Sequence, residues 1–167
     1  MNPTGQIQYF RSKIDDKLHP YAVCATDDSD EAKPVVLEVS PDAISDLPQA
    51  LQTTEEIAAV AANNGRSCIA LRPTGCGPGS LYQNYGEVDL LEALDHAQSL
   101  YSIDRDRITI MGGSMGGAAT WYLVSHYPDL FAAAAPFCGY SDYRLWEKPG
   151  GMTFHMNEWE EPSWRSR

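Results

Sequence analysis

Gly112-Gly113-Ser114-Met115-Gly116-Gly117 sets a serine in a G-x-S-x-G frame. The run before it, Arg107-Ile108-Thr109-Ile110-Met111, is short, apolar and β-branched, while residues 118–127 have helical composition. The stretch predicts a strand, a sharp turn and a helix, the setting in which a serine hydroxyl is pushed clear of the backbone. Such a turn strains the backbone of the serine, and side chains two residues to either side would collide there. Glycine at 112 and 116 removes both side chains. The turn also aims the first amide of the new helix, that of Met115, at the space above the Ser114 hydroxyl, where an oxyanion could be held.

Working outward, residues 6–10 and 21–26 read as strands of an opening hairpin around the Asp15-Asp16 turn, and Pro34-Val35-Val36-Leu37-Glu38-Val39 reads as a buried strand. Residues 53–62 read as an alanine-rich helix ending at Asn63-Asn64-Gly65, and residues 68–71 as a strand stopped by Arg72-Pro73. Leu90, Leu94, Ala97 and Tyr101 share one face of a helix over 87–101. Residues 131–137 form a last apolar strand, after which the chain is aromatic, acidic and irregular. Strands alternating with helices predict an α/β fold, one domain over 1–167, with a mostly parallel sheet covered by helices on both faces.

In such a sheet ligands bind beyond the carboxyl ends of the strands, so the loops 40–45, 73–85 and 138–143 are expected over Ser114. Gly75-Cys76-Gly77-Pro78-Gly79 in the middle loop lacks both the G-x-G-x-x-G spacing and a Walker lysine, which argues against a nucleotide site. The formal net charge of −11 would repel a phosphate backbone, and the 12 basic residues form no cluster beyond Arg165-Ser166-Arg167, so nucleic acid is not an expected partner. No apolar run approaches the roughly 20 residues that span a bilayer, so no membrane insertion is expected. Cys24, Cys68, Cys76 and Cys138 make no C-x-x-C pair, and neither a zinc knuckle nor a redox motif is indicated. Residues 1–13 lack the apolar core of a secretory signal. The expected compartment is therefore the cytoplasm, or outside the cell if sequence precedes Met1.

The segment 103–117 together with Tyr127-Pro128-Asp129-Leu130-Phe131-Ala132-Ala133-Ala134-Ala135-Pro136 resembles the nucleophile region of prolyl-oligopeptidase-like and related esterases of the α/β-hydrolase superfamily. A looser likeness runs back to about Tyr21 through Gly86-Glu87-Val88-Asp89. The resemblance implies a serine hydrolase that cleaves carboxylic esters or peptide amides through an acyl-enzyme, using a Ser-Asp-His triad and no metal or organic cofactor. By position Ser114 is the nucleophile and the Met115 amide one oxyanion donor. The second donor is expected from the loop after the 34–39 strand. Many relatives carry His-Gly there; this chain has Glu38-Val39, and of Ser40 and Pro41 only Ser40 has an N–H to give.

In this superfamily the acid and the histidine follow the nucleophile, usually after two further strands that this sequence does not reach. The expectation is therefore a domain lacking its last strands and its charge-relay partners, inactive or weak as it stands. Its open apolar edge at 131–137 would favour self-association. Asp142 and His155 would complete the formal order Ser114, Asp142, His155 within the chain. His19, before Pro20, and His96, among Asp89, Glu92 and Ser99, read as solvent-facing; His126 lies roughly 18 Å along the helix from Ser114 and suits the helix dipole instead. Tyr82, Tyr85, Tyr140 and Tyr143 near the site are compatible with an aryl or sugar-linked ester. The alternative is a non-catalytic domain that keeps the fold for binding.

Overall fold

The computed structural model describes residues 3–40, 46–76 and 82–141. The opening hairpin forms as expected: β1 (Gln6–Arg11) and β2 (Leu18–Ala25) pair antiparallel, with Gln6 opposite Val23 and Arg11 opposite Leu18. From β3 (Lys33–Glu38) onward strands and helices alternate through α1 (Leu47–Asn63), β4 (Ile69–Pro73), α2 (Tyr85–Leu100), β5 (Ile103–Gly113), α3 (Met115–His126) and β6 (Ala133–Phe137). Among the described residues six strands make one sheet in the order β1-β2-β4-β3-β5-β6. β3, β4, β5 and β6 are mutually parallel, and β2 joins β4 antiparallel, so the sheet is mixed with a parallel core.

Side-chain alternation along β2 shows how both faces are covered. Tyr21 and Val23 enter the main core with Leu90, Leu94 and Ala97 of α2 and Ala119 and Leu123 of α3, whereas Ala22 packs against Ala50 of α1 on the opposite face. Val35 and Leu37 of β3, Leu71 of β4 and Ile108 and Ile110 of β5 complete the main core, each at most 1% exposed. Burial of each such large aliphatic side chain contributes about 1.5–3 kcal/mol.

α1 and β5 start well before the residues their composition suggests. α1 begins at Leu47 because the Asp46 carboxylate accepts the Gln49 N–H at 2.9 Å and Pro48 fits the first turn, where its missing N–H costs nothing. β5 begins at Ile103, and its polar residues Arg105, Asp106 and Arg107 are exposed. α1 ends where expected, with Gly65 at φ +65° beyond Asn64.

Candidate active site

The junction of β5 and α3 holds Ser114 at φ 55° and ψ −116°, a left-handed backbone conformation that costs a residue with a side chain on the order of 1–3 kcal/mol. Two backbone bonds fix it. The Ser114 N–H donates to the Phe137 carbonyl at the end of β6 (2.9 Å), and its own carbonyl accepts from Ala118 N–H (3.1 Å). The side chain of Ser114 is exposed, as presentation to a substrate requires.

The glycines are steric necessities at some positions and not at others. A Cβ on Gly112 would lie 2.6 Å from the Gly116 carbonyl and 2.6 Å from the Val39 oxygen, and one on Gly116 would overlap the Val39 carbonyl outright. Gly113 has open space around it. A further contact was not anticipated from the sequence: a Cβ on Gly117 would meet the Phe137 oxygen at 2.5 Å and Gly139 N at 2.8 Å, so the loop after β6 lies directly on the first turn of α3. Gly117 and Gly139, one at each side of that contact, were the available signal.

Met115 opens α3, so its N–H belongs to the first turn, which has no intrahelical acceptors and carries the positive end of the helix dipole. Ser40 lies just past β3, but its amide is engaged: it donates to the Tyr82 hydroxyl at 3.2 Å. Tyr82 in turn offers its O–H to the carbonyls of Ser40 (2.9 Å) and Pro73 (2.8 Å), joining the loops after β3 and β4. Service of the Ser40 N–H to an oxyanion would therefore compete with its bond to the tyrosine. Tyr82 is also completely buried and presents no ring face for stacking, against the sequence expectation. Burial, with the Glu38 charge adding to it, pushes its phenol well above the ordinary range. Tyr85, by contrast, is 68% exposed at the start of α2.

Glu38, where many relatives would carry His-Gly, forms an ion pair with Arg72 across β3 and β4 at 2.9 Å, and Arg72 Nη1 donates to Thr53 Oγ1 of α1 at 2.6 Å. Burial pushes the Glu38 carboxyl up and Arg72 opposes it. A half-compensated buried pair of this kind ties sheet to helix at the rim of the site.

Two histidines differ from the sequence reading. His19 is held by carboxylates on both ring nitrogens, Nδ1 to Asp89 Oδ1 at 2.6 Å and Nε2 to Asp15 Oδ1 at 3.1 Å; His96 Nδ1 meets the Tyr21 hydroxyl at 3.0 Å. Neither is solvent-facing, because polar partners on the neighbouring strand and helix draw them in. His126 contacts the Tyr122 carbonyl at 2.8 Å in the last turn of α3, where a cation suits the dipole. Among the described residues no histidine is hydrogen-bonded to Ser114. Pro41, Asp142, Tyr143 and His155 lie outside the described residues, as do parts of the three loops expected over the serine.

A strained, exposed serine between a parallel strand and a helix start, on a sheet of order β1-β2-β4-β3-β5-β6, fits an α/β-hydrolase fold. Residues 80–166, just over half of the chain, match the model of the prolyl oligopeptidase family, and the chain belongs to that family. It is 47% identical over 53 residues to the acylamino-acid-releasing enzyme of Arabidopsis thaliana, covering 30% of this chain and 7% of that protein. It is 32% identical over 78 residues to poly(3-hydroxyalkanoate) depolymerase C of Paucimonas lemoignei, covering 46% and 18%. Among solved structures, a thermostable esterase superposes with a TM-score of 0.64 at 25% identity over 84% of this chain and 42% of its own. A fluorophosphonate-binding serine hydrolase of Staphylococcus aureus gives 0.70 at 18% identity over 93% and 65%, a likeness of fold. The chain spans less than two thirds of the length of each of these proteins.

Proposed function

We propose that this chain carries the nucleophile of a serine hydrolase that cleaves carboxylic esters or peptide amides by acyl transfer through Ser114. The setting of Ser114 supports the reading above all: a residue strained at φ 55°, with its side chain exposed at the start of α3, stands between Gly112 and Gly116, both packed against the Val39 backbone. In the proposed reaction the Ser114 Oγ attacks the carbonyl carbon and its proton passes to a general base. The carbonyl oxygen takes up negative charge beside the Met115 N–H. Collapse breaks the bond to the leaving group, which receives that proton, and water then repeats the sequence on the acyl-serine to free the acid.

The base must come within hydrogen-bond reach of Ser114. Within the chain Asp142 and His155 would complete the formal order Ser114, Asp142, His155; without a base, only the roughly 10³–10⁴-fold advantage of oxyanion stabilisation and binding is left. The test is labelling by a fluorophosphonate probe and hydrolysis of p-nitrophenyl acetate, each compared with Ser114→Ala. Weak turnover and labelling that both vanish in Ser114→Ala support the reading, and turnover that survives the substitution overturns it. If hydrolysis is robust and also lost in His155→Ala, Asp142 and His155 take the triad roles.

A further inference from the structure

His19 on β2, Cys76 in the turn after β4 and Asp89 on α2 bring an imidazole nitrogen, a thiol sulfur and a carboxylate oxygen within 4.8 Å of one another. We propose that these three residues form a binding site for a divalent transition metal, zinc by ligand chemistry, distinct from the serine site. Along the sheet His19 on β2 is three strand spacings, about 14 Å, from the elbow strand β5, and Cys76, which follows β4, is two spacings, about 10 Å, from it. One nitrogen, one sulfur and one oxygen ligand on three elements leave a fourth position for water, an arrangement that suits Zn²⁺ better than the oxygen-seeking Mg²⁺ or Ca²⁺.

The hydrogen bonding around His19 is the independent observation pointing to a cation. Both ring nitrogens face carboxylates, and the Nδ1–Oδ1 contact sets two ligand atoms suited to a cation side by side. The contact at Nε2 is the outer-sphere partner a zinc-bound histidine requires: Asp15 accepts the Nε2–H and leaves the Nδ1 lone pair for the metal. Asp89, with a fully buried side chain, is oriented in the same way, its Oδ2 accepting from Gly75 N–H at 2.8 Å while Oδ1 points to His19.

The distances are close to what a tetrahedral ion needs. The Nδ1 to Oδ1 separation of 2.6 Å has to open by about 0.7 Å, and the Sγ to Nδ1 separation of 4.0 Å to close by about 0.4 Å. The surrounding charge is negative, with the carboxylates of Asp89, Asp15 and Glu92 around the thiol. As the sulfur–metal bond forms, the thiol proton leaves to solvent, and a dication converts this concentration of acidic groups from a cost into an attraction.

Cobalt(II) titrated into the full chain is the direct probe, because a cobalt–thiolate bond gives a near-ultraviolet charge-transfer band that nitrogen and oxygen ligands do not. The expected result is one equivalent of cobalt per chain, a charge-transfer band displaced by Zn²⁺, loss of that band in Cys76→Ser with at least tenfold weaker zinc binding, and retention of both in Cys138→Ser. Absence of the band in the unaltered chain, or its survival in Cys76→Ser, overturns the site. Should Cys76→Ser fail to fold by circular dichroism, iodoacetamide alkylation of the unaltered protein decides: protection of Cys76 by Zn²⁺ supports the site and unchanged alkylation overturns it. None of these readouts depends on hydrolysis, so the outcome is separate from that of the Ser114 proposal.

Discussion

The Val39 carbonyl occupies the volume that a side chain on Gly116 would need. This contact presses the end of β3 onto the first turn of α3 and so sets the position of the Ser114 elbow against the neighbouring strand. Because the obstructing atoms are backbone, they cannot rotate away. Gly116→Val and Gly112→Val are each expected to destabilise the fold by more than about 2 kcal/mol. Gly113→Ala, in open space, is expected to stay within about 0.5 kcal/mol. Urea unfolding of the three variants checks this; equal midpoints for all three would mean that the elbow is not built as described.

The strain at Ser114 makes a second prediction with opposite signs for stability and activity. Glycine has no Cβ to oppose φ 55°, so Ser114→Gly is expected to raise stability by about 1 kcal/mol while abolishing fluorophosphonate labelling. Ser114→Ala keeps the Cβ and is expected to lose labelling without that gain. Thermal melts of the two variants side by side read the difference, and a Ser114→Gly variant no more stable than Ser114→Ala would count against a strained serine.

The elbow was legible because its chemistry is local: Gly112, Ser114 and Gly116 act within one turn, and the flanking strand and helix carry their own periodicities. The partners of Ser40, His19 and His96 were not legible, since each depends on strand order, which periodicity does not encode. Tyr82 reaches Ser40 only because β4 lies beside β3, and His19 reaches Asp89 only because β2 lies beside β4. Arg105 and Asp106 fall within β5 where its pairing with β3 is irregular: Lys33 pairs with Ile103 and Val35 with Ile108, so the residues between them bulge and stay exposed.

Tyr82→Phe removes a buried hydroxyl that joins Ser40 to Pro73 and leaves their backbone groups without it. The expected cost is about 1–3 kcal/mol. If the loop after β3 also shapes the oxyanion site, the same variant changes turnover of p-nitrophenyl acetate while fluorophosphonate labelling persists. A stability loss too small to measure would show that these bonds are replaced by water.

Alkaline pH is expected to weaken the fold. Burial raises the Cys24 thiol from 9.0 to about 11, and the buried phenols of Tyr21 and Tyr82 lie above the ordinary tyrosine range. Each group keeps its proton in the folded state at a pH where the unfolded chain has released it. Its contribution is thus complete below the unfolded value and is lost as pH rises through the folded one. The urea midpoint should fall from about pH 9 upward, with a shallower fall in Cys24→Ala. A midpoint constant between about pH 8 and 10.5 would contradict these shifts.

Edge pairing gives the last prediction. Among the described residues β6 pairs only with β5, leaving its other side as a row of unpaired backbone groups, and Ala133, Ala134 and Phe137 are exposed, Phe137 at 54%. Pro136 removes one donor from this edge, and no residue of β6 carries a charge to discourage docking. The chain is therefore expected to self-associate at micromolar concentration, measured by light scattering. Ala134→Lys, which places a charge on an exposed position of the edge without touching the elbow, should reduce the scattering mass towards that of a monomer. A monodisperse monomer in the unaltered protein would show that the edge is covered in solution, and an associated Ala134→Lys variant would place the contact on another surface.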